Sequence, residues 1–191
     1  MSQKLKKHVS LLKREGLGLI VIDVQERMLP AVFESQRVQK NVEILVEGFK
    51  VLDIPIIVTE QYPKGLGLTI PELQTKLPAY DPFEKVTFNC FDEGNGTFLD
   101  LLRSKKFKAL LICGVEAHVC VVQTVLDALA NNFGVHVAVD AISSRNKLNW
   151  HYAIVRMREA GAILTTTESA LFELLVQAKT PEFKKISALV K

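Results

Sequence analysis

Two kinds of apolar pattern alternate along the chain. Short, near-continuous apolar runs stop at polar residues or glycines, and between them lie stretches with apolar residues every third or fourth position. The first short run, 17–22, sits between Gly16 and Asp23. Such runs suit strands covered on both faces. The same pattern predicts further strands over 54–59, 83–88, 109–113, 135–139 and 162–165. Helical spacing is clearest over 35–52, where Val38, Val42, Leu45, Val46, Phe49 and Leu52 share one side and Ser35 can cap the N-terminus. Further helices are expected over 71–77, 97–103, from about residue 117 to Gly134, 148–159 with Ala153, Ile154 and Met157 inward, and 169–177. An amphipathic helix over 3–14 would present Leu5, Val9, Leu11 and Leu12. The tail, 178–191, has a weaker pattern and is assigned to the surface or to a partner subunit.

Strand and helix alternate about six times with short connections. This predicts a single α/β domain over 1–191 with three-layer α/β/α architecture and a doubly wound, mostly parallel six-stranded sheet. In such a sheet ligands bind at the C-terminal ends of the strands, at the switch point.

Three residues at that edge could carry chemistry. Asp23 directly follows the first strand; its competing role is to cap the next turn. Lys85 falls inside the third strand, where a solvent-facing lysine is the ordinary case, but its neighbours are apolar and the strand should be covered. Cys120 lies near the start of the helix after the fourth strand. Free amide N–H groups and the helix dipole favour a thiolate there, against the alternative of a buried cysteine packing as a small hydrophobe. If strands one and four are neighbours, Asp23 and Cys120 meet across the switch point. A thiol, a carboxylate and an ammonium make a hydrolytic set, because the cation favours the thiolate and the carboxylate can accept and return its proton.

Composition narrows the partners. The chain has 191 residues, 48% of them hydrophobic and 24% charged, and a net charge of +3. That charge is small, and basic residues such as Lys4, Lys105 and Lys184 are scattered towards helix ends and termini, so no nucleic-acid partner is expected. Three cysteines without a spaced framework point to free thiols in a reducing compartment. No apolar signal core follows the basic first residues, and no apolar run approaches a membrane span. The expectation is a cytoplasmic protein with a small-molecule substrate and no membrane partner. No glycine set forms a phosphate loop.

Asp23 after a buried first strand, Lys85 with Phe91 six residues on, and Gly114-Val-Glu-Ala-His-Val-Cys120 at a strand–helix turn resemble the isochorismatase-like cysteine hydrolases over roughly 15–175. The resemblance implies a catalytic triad of Asp23, Lys85 and Cys120. It also implies a cis peptide between Val115 and Glu116, an oxyanion hole from the backbone N–H groups of Glu116 and Cys120, and a homo-oligomer. The nicotinamidase branch carries an aspartate and two histidines as metal ligands after the second strand. This chain has Glu60-Gln61-Tyr62-Pro63-Lys64-Gly65 there, so no metal and no cofactor are expected. That loop looks like the isochorismatase-domain-containing branch. Relatives that cleave a vinyl ether generally lack the cysteine, so Cys120 argues against that reaction.

The expected activity is hydrolysis of a small amide, or an ester, through a thioester on Cys120. The alternatives are a non-catalytic binding protein with the same fold, or a redox-responsive one in which Cys120 is oxidised. Gln25, Phe88 and Phe91 are assigned to the substrate pocket, with core packing as their competing role. His118 lies two residues from Cys120 and so on another helix face, which argues against a Cys–His pair. Cys90 and Cys113 are read as structural, and Trp150 and His151 as fillers of a pocket or a subunit contact.

Overall fold

In the computed structural model, which describes residues 8, 10–91 and 97–191, β1 (Leu17–Ile22) lies at the centre of the sheet. It pairs in parallel with β2 (Ile56–Gln61) on one side and β4 (Ala109–Val115) on the other. β3 (Phe83–Lys85) flanks β2, β5 (Gly134–Ser143) flanks β4, and β6 (Ile163–Thr165) is outermost. The order is β3-β2-β1-β4-β5-β6 and every pairing is parallel. The chain runs outward from β1 through β2 to β3, then crosses back past β1 to β4 and continues outward on the other side through β5 to β6. The reversal between β1 and β4 is the switch point, and a crevice forms there beyond the strand ends.

Successive strand residues point to opposite faces, and each face has its own core. Leu19, Val21, Leu111 and Cys113 pack with α1 (Ser35–Val51), α7 (Thr167–Leu175) and α8 (Pro181–Leu189). Ile20, Ile22, Leu110 and Ile112 pack with α4 (Thr97–Ser104), α5 (Val122–Ala130) and α6 (Lys147–Glu159). Two short turns, α2 (Pro63–Leu66) and α3 (Pro71–Gln74), follow β2. No helix among the described residues is long and apolar enough to cross a membrane.

Some elements differ from the sequence expectation, each for a physical reason. β2 runs on through Glu60 and Gln61, which are polar but buried, because their side chains find hydrogen-bond partners inside the protein. β5 likewise continues past Asp140, whose carboxylate accepts from the Thr167 N–H and hydroxyl. β3 keeps only three of its six expected residues. Ser35 does not cap α1: it is the first helical residue, preceded by Glu34 in a left-handed conformation. The tail forms α8, with Thr180 as N-cap and Ile186 fully buried against the α1 face. Of the helix expected over 3–14, residues 3–7 and 9 lie outside the described residues, and 10–14 are not helical, with Leu12 buried.

Gly114 is where the fold needs glycine. Its φ is +113°, and a Cβ there would stand 2.0 Å from the Ile22 carbonyl oxygen on β1. The β4–β5 register also shifts between Ile112 and Gly114. The end of β4 can therefore press against β1 and turn into the loop that carries Glu116 and Cys120.

Candidate active site

Asp23 leaves the end of β1 with φ of 52°, a left-handed conformation that aspartate tolerates better than most residues. Its N–H extends the sheet ladder to the Thr59 carbonyl at 3.2 Å. The side chain is fully buried at the switch point. Its two oxygens are held separately: the Thr59 hydroxyl donates to Oδ1 at 2.7 Å, and Lys85 Nζ donates to Oδ2 at 2.7 Å. The Cys120 thiol lies close enough to Asp23 for the carboxylate to raise its pKa. Asp23, Lys85 and Cys120, separated by 62 and 35 positions in the chain, are thus in one cluster.

Lys85 enters this cluster from β3 with no exposed side-chain surface. Burial alone would lower its pKa, but Asp23, followed by Cys120 and Cys90, outweighs that and raises it. Nζ also donates to Gln61 Oε1 at 2.8 Å and approaches the Phe88 carbonyl at 3.3 Å. A charged lysine survives burial only with such a set of acceptors.

Cys120 belongs to a π-helical turn, Ala117–Val121, which runs straight into α5. Single wide turns of this kind recur at functional sites. The sequence reading placed a thiolate here, but the environment favours the thiol. Burial raises the Cys120 pKa most; the Asp23 charge and hydrogen bond raise it further, and Lys85 only partly offsets them. Cys120 is 2% exposed.

Cys90, read from sequence as remote from any base, lies in the same electrostatic neighbourhood. It is fully buried, and its pKa is pushed up to about 12, chiefly by burial, with Lys85 opposing and Asp23 reinforcing the shift. Its backbone N–H donates to Thr124 Oγ1 at 3.2 Å. Cys113, as expected of a mid-strand cysteine, is buried on the opposite face of the sheet and points at the Ile20 carbonyl, 3.7 Å away.

Of the three pocket assignments, the structure puts only Phe88 in the pocket wall, 57% exposed. Gln25 is fully buried and works behind the wall. Its Nε2 donates to the carbonyls of Gln61 (3.0 Å) and Gly67 (2.6 Å), and its Oε1 accepts from the Gln61 N–H at 2.8 Å. It thereby fixes Gln61, which in turn holds Lys85. Phe91 packs into the core instead, edge-on to Phe98 with centroids 5.2 Å apart.

The pocket opens over Cys120 and Gln61, with a volume of about 350 Å³. Met28, Leu66, Phe88 and Val119 supply its apolar surface, and Arg27, Glu116 and Arg145 its charges. The peptide between Val115 and Glu116 is cis. The Glu116 carboxylate accepts from the Arg145 N–H at 2.8 Å and lies 3.0 Å from its Nε. His118 faces Ser144, Nδ1 to Oγ 3.0 Å, and is not among the partners of Cys120. Trp150 stacks edge-on against Phe33 at 5.4 Å, and His151 is exposed. Sequence reasoning missed Thr59, Gln61, Arg27 and Arg145. All four sit within five residues of a strand terminus at the C-terminal edge, and that position was the available signal.

The sequence profile of the Isochorismatase domain matches residues 18–169. The chain belongs to the isochorismatase family. An isochorismatase domain-containing protein 2 from Danio rerio is 36% identical over 182 residues, covering 95% of this chain and 90% of that protein. Among solved structures, a MAR1 ribonuclease from Caenorhabditis elegans is 37% identical with a TM-score of 0.85, covering 94% of this chain and 92% of that one. YcaC from Escherichia coli, described as an octameric hydrolase of unknown specificity, is 27% identical with a TM-score of 0.87, covering 97% and 92%. YcaC from Pseudomonas aeruginosa, described with hexane-2,5-diol and covalent acrylamide, is 27% identical with a TM-score of 0.86, covering 96% and 93%. The isochorismatase fold thus spans nearly the whole chain, and with it the architecture of a family of hydrolases.

Proposed function

We propose that this isochorismatase-family chain is a cysteine hydrolase that cleaves a small amide, or an ester, through a thioester on Cys120. One observation carries the reading: a buried carboxylate, Asp23, ion-paired to a buried lysine and acting on the thiol of Cys120, which lines a pocket.

Asp23 accepts the Cys120 proton as the sulfur attacks the carbonyl carbon. Lys85, ion-paired to Asp23, offsets the charge developing on sulfur. The oxyanion is received by the backbone N–H groups of Glu116 and Cys120; removing one such donor in comparable enzymes costs about 2.7–4 kcal/mol. The C–N or C–O bond breaks as Asp23 passes its proton to the leaving group. Asp23 then takes a proton from water, which hydrolyses the thioester and returns the thiol. Covalent acrylamide in the Pseudomonas relative supports the reading, since acrylamide adds to thiolates.

The test is a panel of small amides and esters, assayed with wild type and Cys120→Ala, with intact mass spectrometry to trap the acyl-enzyme. Turnover lost in Cys120→Ala, with a mass gain equal to the acyl group in wild type, supports the proposal. Because a 37%-identical structure carries the name ribonuclease, the panel includes an RNA oligonucleotide. RNA cleavage that survives Cys120→Ala would replace the amide reading. The octameric relative supports a homo-oligomer, which light scattering on the purified chain would measure.

A further inference from the structure

Arg27 and Arg145 line the pocket and Lys85 lies behind it, bonded to Gln61, and the three differ in how their charge is met. Lys85 is paired with Asp23, and Arg145 with Glu116. Arg27 has no carboxylate within ion-pair distance among the described residues. Its guanidinium spends one N–H on the Gly65 carbonyl at 2.8 Å, a bond that steadies the side chain without neutralising it. Arg27 lines the same cavity as Cys120.

An unmatched guanidinium beside a reacting centre selects for an anion. Arginine's planar fork suits a carboxylate in particular, which it can bind through two parallel hydrogen bonds. Met28, Leu66 and Val119 in the same wall are apolar and suit a short hydrocarbon spacer, while the Glu116 carboxylate there is already met by Arg145. A volume of about 350 Å³ is near the lower end for ligand pockets, roughly 300–1,000 Å³.

We propose that the substrate is a small amide whose far end carries a carboxylate, bound by Arg27, such as the monoamide of a short dicarboxylic acid. This rests on the cysteine-hydrolase reading for the amide and on the pocket's charge pattern for the carboxylate, and the two can fail separately.

The full-length Cys120→Ala chain, which cannot form the thioester, is titrated calorimetrically with glutaramate and with its neutral counterpart glutaramide. Glutaramate should bind at least about tenfold more tightly, a difference of about 1.4 kcal/mol. Arg27→Gln on that background should abolish the preference, and Arg27→Lys should keep part of it. Arg27 is exposed, so these variants should fold. Equal affinity for the two probes, including no binding of either, overturns the proposal, as does a preference that survives Arg27→Gln. Inorganic phosphate binding as tightly as glutaramate would overturn the carboxylate assignment in favour of an oxyanion site. Binding through Arg27 without hydrolysis by wild type would sink the hydrolase reading and leave the anion site standing.

Discussion

Lys85 Nζ lies 2.7 Å from Asp23 Oδ2, with neither side chain exposed to solvent. The two charges come from strands on either side of β2 and meet where the protein has removed water from both. Removing one partner of such a pair leaves the other charge buried without compensation, and that asymmetry makes the site testable through stability as well as activity.

Lys85→Met should destabilise the fold by about 3–5 kcal/mol, because Asp23 is left buried and unpaired. Adding Asp23→Asn should recover part of that loss, since the uncompensated charge is gone. Urea denaturation of the two single variants and the double variant measures the coupling. Strict additivity would show that the pair is not energetically linked.

Asp23→Asn should make Cys120 more reactive to iodoacetamide at neutral pH while abolishing hydrolysis. Burial, the Asp23 charge and the Asp23 hydrogen bond all raise the thiol's pKa, and Lys85 lowers it. Neutralising residue 23 removes the two raising effects that come from Asp23 and keeps the lowering one, so the thiolate fraction rises. Peptide mapping of labelled Cys120 against pH reads this directly. Slower labelling in Asp23→Asn than in wild type would contradict the assignment of Asp23 as the thiol's partner.

Stability should fall on the alkaline side. Cys90, Cys113 and Cys120 all have folded pKa values raised by burial. The unfolded thiols lose protons from about pH 8.5 upward while the folded ones keep theirs. The unfolded state therefore binds fewer protons in that window, and stability declines as pH rises. Below pH 8 the contribution is fully present. Each thiol should add about 1.4 kcal/mol per pH unit to the slope. Cys113→Ala, remote from the site, should lower overall stability but make its fall between pH 9 and 10 shallower by about that amount, as followed by urea midpoints.

Gly114→Ala should be severely destabilising, by more than about 4 kcal/mol. Its Cβ would meet the Ile22 carbonyl oxygen at 2.0 Å, and that atom belongs to the central strand and cannot swing away. Gly161→Ala is the control: its φ is also positive, at +106°, but nothing lies within 4 Å of the added carbon. Comparable losses in the two variants would show that backbone conformation, and not the close approach to β1, makes Gly114 necessary.

Much of the architecture was legible in the order of residues because burial on two faces of a parallel sheet demands continuous apolar runs, and helices on a core demand a 3.6-residue stripe. Leu17–Ile22 and Ser35–Val51 follow those rules and were readable directly. Glu60, Gln61 and the end of β5 were not. Their polar side chains are buried because specific partners reach them across the fold, and no local pattern encodes those partners. The same holds for the tail, where Ile186 alone reaches full burial, so α8 lacks a broad apolar stripe.

The chemistry divides in the same way. The residue types Asp23, Lys85 and Cys120, and their places at strand ends, were set by the sequence, since strand ends are where the apolar runs stop. Tertiary structure decided that Thr59 and Lys85 take one oxygen each of Asp23 and that Gln25 reaches Lys85 only through Gln61. It also decided that Phe91 serves the core and that Cys120 rests as a thiol. Desolvation and charge act through space over a few ångströms, and chain neighbours say little about which groups will be that close.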